Sequence, residues 1–313
     1  MSKTAFVFPG QGAQYVGMGK EITENFSVAK EVYQEASDYL GYNMNKLCFE
    51  GPNEELVKTE NTQPAILTTT IALLRVLENE GIKSDITAGL SLGEYASLVK
   101  SKVIDFKDAV RIVKKRGKYM QEAVPQGIGT MAAILGLDKE KLQKSIEECR
   151  HYGVVETANY NSPGQIVISG EVEAVKNAVK KAVEYGAKKA VILPVSAPFH
   201  CSLLKPAGER LEKELLKYSF NTPQVGVVTN VDAKLLKDKE AVVPSLVKQV
   251  SQSVLWQDSV EYIINEGIDT FIEIGPGKSL SGFIKKIAKS LNAQISIKNI
   301  EDVNSFKALI NSL

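Results

Sequence analysis

Histidine is the scarcest reactive side chain in this sequence: 313 residues hold only His151 and His200. Imidazole chemistry is therefore confined to two positions. Cysteine is nearly as rare. Cys48, Cys149 and Cys201 are odd in number and widely scattered, which excludes a disulfide framework and a paired zinc motif. Reduced thiols in a cytoplasmic protein without a metal site are expected. Excess charge is also lacking. The formal net charge is +1, so no global field points to nucleic acid or an anionic membrane. Long apolar runs are missing as well. The least charged stretch, residues 61–74, carries Gln, Pro and several Thr and falls short of a membrane span. The opening MSKTAFVFPGQG has too short an apolar run for a secretory signal. What remains, 44% hydrophobic and 24% charged residues, is ordinary for a soluble globular enzyme.

The pattern along the chain predicts strands alternating with helices. A short apolar strand, Thr4–Phe8, is broken by Pro9-Gly10. Helical periodicity continues over residues 18–39 and 63–78. Next come a strand over 86–89, a corner, and a helix from Leu92, with Asp105 expected to cap the helix after it. Residues 130–137 read as a strand and Asp138 opens a helix reaching about Tyr152. Residues 154–159 and 165–169 read as strands around an Asn-Ser-Pro-Gly turn, 171–185 as a helix and 190–195 as a strand. That β-α-β-β-α-β order is the ferredoxin-like unit. The expected fold is therefore α/β, a mainly parallel sheet covered on both faces, with an inserted ferredoxin-like subdomain. The expected boundaries are 1–126 and 197–313 for the large catalytic domain and 127–196 for the insert.

Chemistry enters at Gly89-Leu-Ser-Leu-Gly93. A serine flanked by glycines at a strand-to-helix turn is either a plain corner or a nucleophile elbow. A serine nucleophile needs a base. His151 stands at the polar end of a predicted insert helix, where surface or capping roles suit it. His200 comes after a strand end and Pro198, which leaves it the base by elimination. Cys201 is a rival nucleophile without a glycine corner. Attack on an acyl carbonyl also needs donors for the developing oxyanion. The Leu92 N–H at the helix start is one candidate, and the loop 9–14 after the first strand offers another. That loop has Tyr15 where a dinucleotide fingerprint needs its third glycine. Likewise Gly275-Pro-Gly-Lys-Ser lacks the first glycine of a phosphate loop, since Ile272 stands there, so ATP binding is excluded. Arg116, among Lys114, Lys115 and Lys118, is either part of a solvated basic face or an inward guanidinium suited to a carboxylate.

Six segments in order carry a family resemblance: Phe8-Pro-Gly-Gln-Gly-Ala-Gln, Gly89-Leu-Ser-Leu-Gly-Glu-Tyr, Arg116-Gly-Lys-Tyr-Met-Gln, Asn161-Ser-Pro-Gly-Gln, Pro198-Phe-His-Cys and Glu273-Ile-Gly-Pro-Gly. Together they resemble the malonyl-CoA:acyl carrier protein transacylases over essentially the whole chain. The resemblance implies a hydrolase-like core with a ferredoxin-like insert. It also implies ping-pong transfer of malonyl from malonyl-CoA to the phosphopantetheine thiol of acyl carrier protein, in fatty acid biosynthesis. By the same resemblance Ser91 is the nucleophile, His200 its base, and Gln11 and Leu92 the oxyanion site. Arg116 holds the malonyl carboxylate, Gln63 lines the cleft, and a Gln249 carbonyl orients His200. Phe199 resembles the form associated with malonyl rather than branched acyl units. No cofactor is implied, and a cytoplasmic monomer is expected.

Many members have histidine before the serine. Here it is Leu90, as in stand-alone acyltransferases serving polyketide assembly lines, so that pathway stands as the alternative. A serine thioester hydrolase and a non-catalytic scaffold are the other readings. A basic rim for an acidic carrier is expected either around Arg116 or at Lys285, Lys286 and Lys289.

Overall fold

The computed structural model describes residues 3–195 and 197–312. Its strands are β1 Thr4–Phe8, β2 Ile86–Gly89, β3 Gly129–Leu135, β4 Val155–Ser162, β5 Gln165–Glu171, β6 Lys189–Ile192, β7 Gly226–Val228, β8 Thr270–Ile274 and β9 Ser296–Ile300. They form two sheets of opposite character. The larger runs β7-β2-β1-β8-β9, and every pairing in it is parallel. β1 is buried on both faces from Ala5 onward, as a strand inside a covered parallel sheet must be. The smaller sheet runs β4-β5-β3-β6 and is antiparallel throughout. Its helices, Lys139–Cys149 and Val172–Glu184, connect β3 to β4 and β5 to β6. Both bury one face in a separate apolar cluster. This is the α/β architecture expected, with strand order and helix placement of a ferredoxin-like unit. The four strands of the smaller sheet lie between Gly129 and Ile192. The expected boundary at Ser196 lies outside the described residues.

Several local expectations shift. The helical stretch 18–39 is two helices, Lys20–Asn25 and Ser27–Leu40, because Phe26 is extended at φ −132°. Asp105 occupies the N-cap position of the helix Phe106–Glu122, but its side chain makes no capping bond. Asp138 does cap, accepting from the Lys141 N–H at 2.8 Å. β9 carries no clean alternation, since its lysine and asparagine are half-buried at a sheet edge, and sequence periodicity passes over it.

The parallel sheet sets the positions of the polar groups. β1 leads into the loop holding Gln11, β2 into the corner holding Ser91, and β7 toward Asn230. All three loops leave the carboxyl ends of neighbouring strands. β1 pairs with β2 on one side and β8 on the other. The chain moves outward from β1 to β2 and β7 and then crosses to β8 and β9, and ligands of such sheets sit at that kind of switch point. Behind the corner runs the helix Thr59–Asn79, buried nearly all round, as an interior helix is. No helix among the described residues is long and apolar enough to cross a membrane.

Candidate active site

Ser91 stands at φ +52°, a left-handed conformation that L-residues rarely adopt. The corner is tight enough to require its glycines. A Cβ on Gly89 would collide with the Gly93 backbone, and one on Gly93 with the Phe8 carbonyl oxygen. Asn230 clamps the turn from β7. Its Oδ1 accepts the Ser91 N–H at 2.6 Å and its Nδ2 donates to the Gly89 carbonyl at 2.7 Å. The loop after β1 presses on the same corner, since a Cβ on Gly10 would lie 2.5 Å from the Leu90 carbonyl oxygen.

His200, also left-handed at φ +60°, brings Nε2 to 2.8 Å from Ser91 Oγ, across 109 residues of sequence. Its Nδ1 lies 2.8 Å from the Gln249 carbonyl oxygen. A carbonyl only accepts, so Nδ1 carries the proton and Nε2 is the free acceptor facing the serine. Burial, then the nearby Arg116 charge, lower the His200 pKa to about 3, against the opposing Gln249 bond. The ring is neutral at pH 7, the form a proton acceptor needs.

Arg116 is buried, so it is the inward cation and not part of a solvated face. Its NH2 donates to Ser91 Oγ at 3.1 Å and to Gln249 Oε1 at 2.8 Å, and its NH1 donates to Gln63 Oε1 at 2.8 Å. All three acceptors are uncharged. Its Nε is buried and makes no hydrogen bond among the described residues. The Tyr95 ring lies 5.7 Å below the guanidinium. Its own helix comes close enough because Gly117 is next: a Cβ there would lie 2.5 Å from the Thr59 carbonyl oxygen. The neighbouring lysines point elsewhere. Lys115 pairs with Glu214 at 2.6 Å, and Lys114 and Lys118 meet Glu60 and Glu122 at 3.8 Å.

Leu92 is buried at the start of the elbow helix Gly93–Lys100. Among the described residues neither its N–H nor that of Gln11 makes a hydrogen bond. The Gln11 side chain instead donates to Thr59 Oγ1 at 3.3 Å. Phe199 is buried in the main core beside His200. His151 is exposed on the insert, its ring 3.9 Å from that of Tyr152. Cys201 is buried, its thiol bonded to the Pro198 carbonyl and raised by burial to about 11, which silences it as a nucleophile. The half phosphate loop is filled from within: Glu273 accepts from the Leu280 and Ser281 N–H groups at 3.0 and 2.7 Å.

Two polar residues at the centre escape sequence reasoning. Asn230 comes after β7 without a motif, and Glu94 stands just past the glycine corner without an assigned role. Glu94 Oε2 accepts from Asn230 N–H at 2.9 Å and from Gln249 Nε2 at 2.8 Å. The insert also touches the site. On β4, Glu156 accepts from both the N–H and the hydroxyl of Ser202, at 2.8 and 2.6 Å. The same strand exchanges main-chain bonds with Val254, through Ala158 and Tyr160. A cleft of about 430 Å³ between Gln143, Arg150 and Tyr160 of the insert and Val231 and Ser253 of the core reaches His200.

A strained serine on a strand-to-helix corner, bonded to a neutral imidazole over a parallel sheet, marks an α/β enzyme of the serine-nucleophile class. More narrowly, the chain belongs to the acyl transferase domain family, which matches residues 5–308. It is 49% identical over 294 residues to the malonyl CoA-acyl carrier protein transacylase of Escherichia coli (strain K12), covering 94% of this chain and 95% of that one. The protein of the same description from Bacillus subtilis (strain 168) is 47% identical over 304 residues, 97% of this chain and 96% of that one. Among solved structures, the malonyl CoA-acyl carrier protein transacylase from Clostridium perfringens superimposes with a TM-score of 0.95 at 50% identity, over 99% of this chain and 97% of that one. A malonyl-transacylase solved with its type II PKS acyl-carrier protein does so with a TM-score of 0.96 at 43% identity, over the full length of both.

Proposed function

We infer that this chain transfers malonyl from malonyl-CoA to the phosphopantetheine thiol of an acyl carrier protein, in fatty acid biosynthesis, through a malonyl ester on Ser91. Ser91 Oγ attacks the thioester carbonyl and its proton passes to His200 Nε2. Charge gathers on the carbonyl oxygen, where the main-chain N–H groups of Gln11 and Leu92 are free to donate. The intermediate collapses, the C–S bond breaks, and the proton on Nε2 goes to the departing CoA sulfur. The carrier thiol then repeats the sequence in reverse: His200 takes the thiol proton, sulfur attacks the ester carbonyl, and Ser91 Oγ recovers its proton. The reaction uses side chains and main-chain donors alone, without a bound cofactor. We assign the cleft opening on His200 to the incoming arm, and place the enzyme in the cytoplasm as a monomer.

The observation that carries this reading is Arg116. A buried guanidinium touching the nucleophile donates only to uncharged acceptors. Glu94 reaches it through Gln249, so no anion bonds it directly. The free carboxylate of a malonyl group supplies one: the Nη2 donor released from Ser91 Oγ on acylation and the idle Nε form the parallel pair that holds it and fixes the acyl chain. Gln63 and Gln249 hold the guanidinium for that contact. The Lys285, Lys286 and Lys289 run offers the carrier a basic surface, whereas the lysines around Arg116 already face acids. Incubation with malonyl-CoA, with and without carrier, tests the reading by intact-protein mass spectrometry. Wild type is expected to gain one malonyl group on Ser91 and lose it to the carrier. Ser91→Ala is expected to gain none, with activity below about one ten-thousandth of wild type. A malonyl adduct on the variant, or CoA release that ignores the carrier, would overturn it.

A further inference from the structure

A carboxylate lies at the centre of the site without touching a reacting atom. Glu94 sits three residues past Ser91 and is 1% exposed. The two donors it binds, Asn230 N–H and Gln249 Nε2, belong to the residue that clamps the corner and to the residue that orients the base. An amide side chain has a donor end and an acceptor end of nearly the same shape, and its surroundings decide which way it lies. Gln249 has both ends engaged. Its NH2 donates to Glu94 Oε2 at 2.8 Å and to the Ser91 carbonyl at 3.0 Å, and its Oε1 accepts from Arg116 at 2.8 Å. Turned over, the oxygen would face two acceptors and the NH2 would face a guanidinium.

We propose that Glu94 is a positioning residue for acyl-group selection: it holds the Gln249 amide donor-side toward itself, so that the Gln249 oxygen keeps Arg116 aimed at the carboxylate end of the acyl chain on Ser91. The proposal rests on the malonyl reading above. It needs Glu94 as an acceptor and not as a charge. Burial raises its carboxyl to about 7, so both forms are populated near neutrality. Oε1, which makes no hydrogen bond among the described residues, is the oxygen left to carry the proton. Glutamine at this position can offer one carbonyl oxygen to the same two donors. Methionine keeps the length of the side chain and removes the acceptor.

The test compares Glu94→Met with Glu94→Gln, reading the ratio of kcat/KM for malonyl-CoA over acetyl-CoA and a crystal structure of each variant. In Glu94→Met the ratio is expected to fall by about tenfold or more, the size of one lost hydrogen bond to a charged group. In Glu94→Gln it stays within about threefold of wild type. Equal losses with both acyl donors in Glu94→Met, as a merely structural role predicts, would overturn the proposal. So would the same change of ratio in both variants. Glu94→Ala serves the same comparison if Glu94→Met does not fold. If wild type itself does not prefer malonyl, the functional reading fails first, and the crystal structures decide the inference alone. Gln249 Oε1 still bonded to Arg116 in Glu94→Met would sink it, and an amide turned over or spread over two orientations would sustain it.

Discussion

The parallel core and the antiparallel insert divide the work unequally. The core carries the serine, the imidazole, the guanidinium and the carboxylate beneath them. Among the described residues the insert contributes no group that touches Ser91 Oγ, yet β4 grips the chain beside the base and beside the residue that orients it. Glu156 holds Ser202, two residues past His200, and Val254, five residues past Gln249, pairs with β4. A reacting constellation can thus belong to one layer while its alignment is shared with another.

Removing a core charge should show the largest effect. Arg116→Ala is expected to lower kcat/KM for malonyl-CoA by about two to three powers of ten. It should also relax discrimination against acetyl-CoA, because an unpaired buried cation costs about 3–5 kcal/mol and the variant no longer has one. Parallel assays with the two acyl donors check this, and an unchanged preference would remove Arg116 from selection.

The insert should matter less. Glu156→Ala is expected to reduce kcat about tenfold, by loosening the segment that carries His200. Its stability cost should be about 1.5–3 kcal/mol, the range for hydrogen bonds to a charged group. Denaturant unfolding beside steady-state kinetics separates the two, and an unaltered kcat would confine the insert to shielding the cleft.

The smallest effect is a change that should not occur. A neutral imidazole with its pKa lowered to about 3 stays a proton acceptor through pH 6.5. Measured in the Glu94→Gln background, so that Glu94 does not titrate, kcat/KM for malonyl-CoA should show no loss as pH falls through 6.5. The decline should begin only toward 3. Linkage gives the same sign for stability. His200 favours the fold above its unfolded pKa of about 6.5, and that contribution is lost as pH falls toward 3. An inflection near 6.5 would mean that the ring is solvated.

Much of this was legible in the chain. The glycine corner located Ser91, the scarcity of histidine left His200, and the order of short elements gave the ferredoxin-like unit. The residues alone left Arg116 open between a solvated face and an inward guanidinium, although its inward position was legible. It lies four and seven residues from Ile112 and Ala109 and four before Met120, on the apolar face of its helix, while its basic neighbours point outward. Asn230 and Glu94 left no such trace. Their partners are main-chain groups and an amide more than a hundred residues away, and sequence spacing does not encode contacts made by backbone atoms. Leu90 needed the structure as well. Its side chain packs into the lower core and its carbonyl faces Gly10, so the turn after β2 is shaped by main chain rather than by that side chain.

The seam between β4 and residues 253–254 has a consequence for anyone who would cut or transplant this protein. The smaller sheet has its own apolar centre and looks portable, but one of its outer strands is stitched to the ground on which the proton acceptor stands. A core trimmed of it would keep a bent serine and an anchored arginine while the imidazole lost its footing. Grafts that seek new acyl specificity should therefore move both pieces as one.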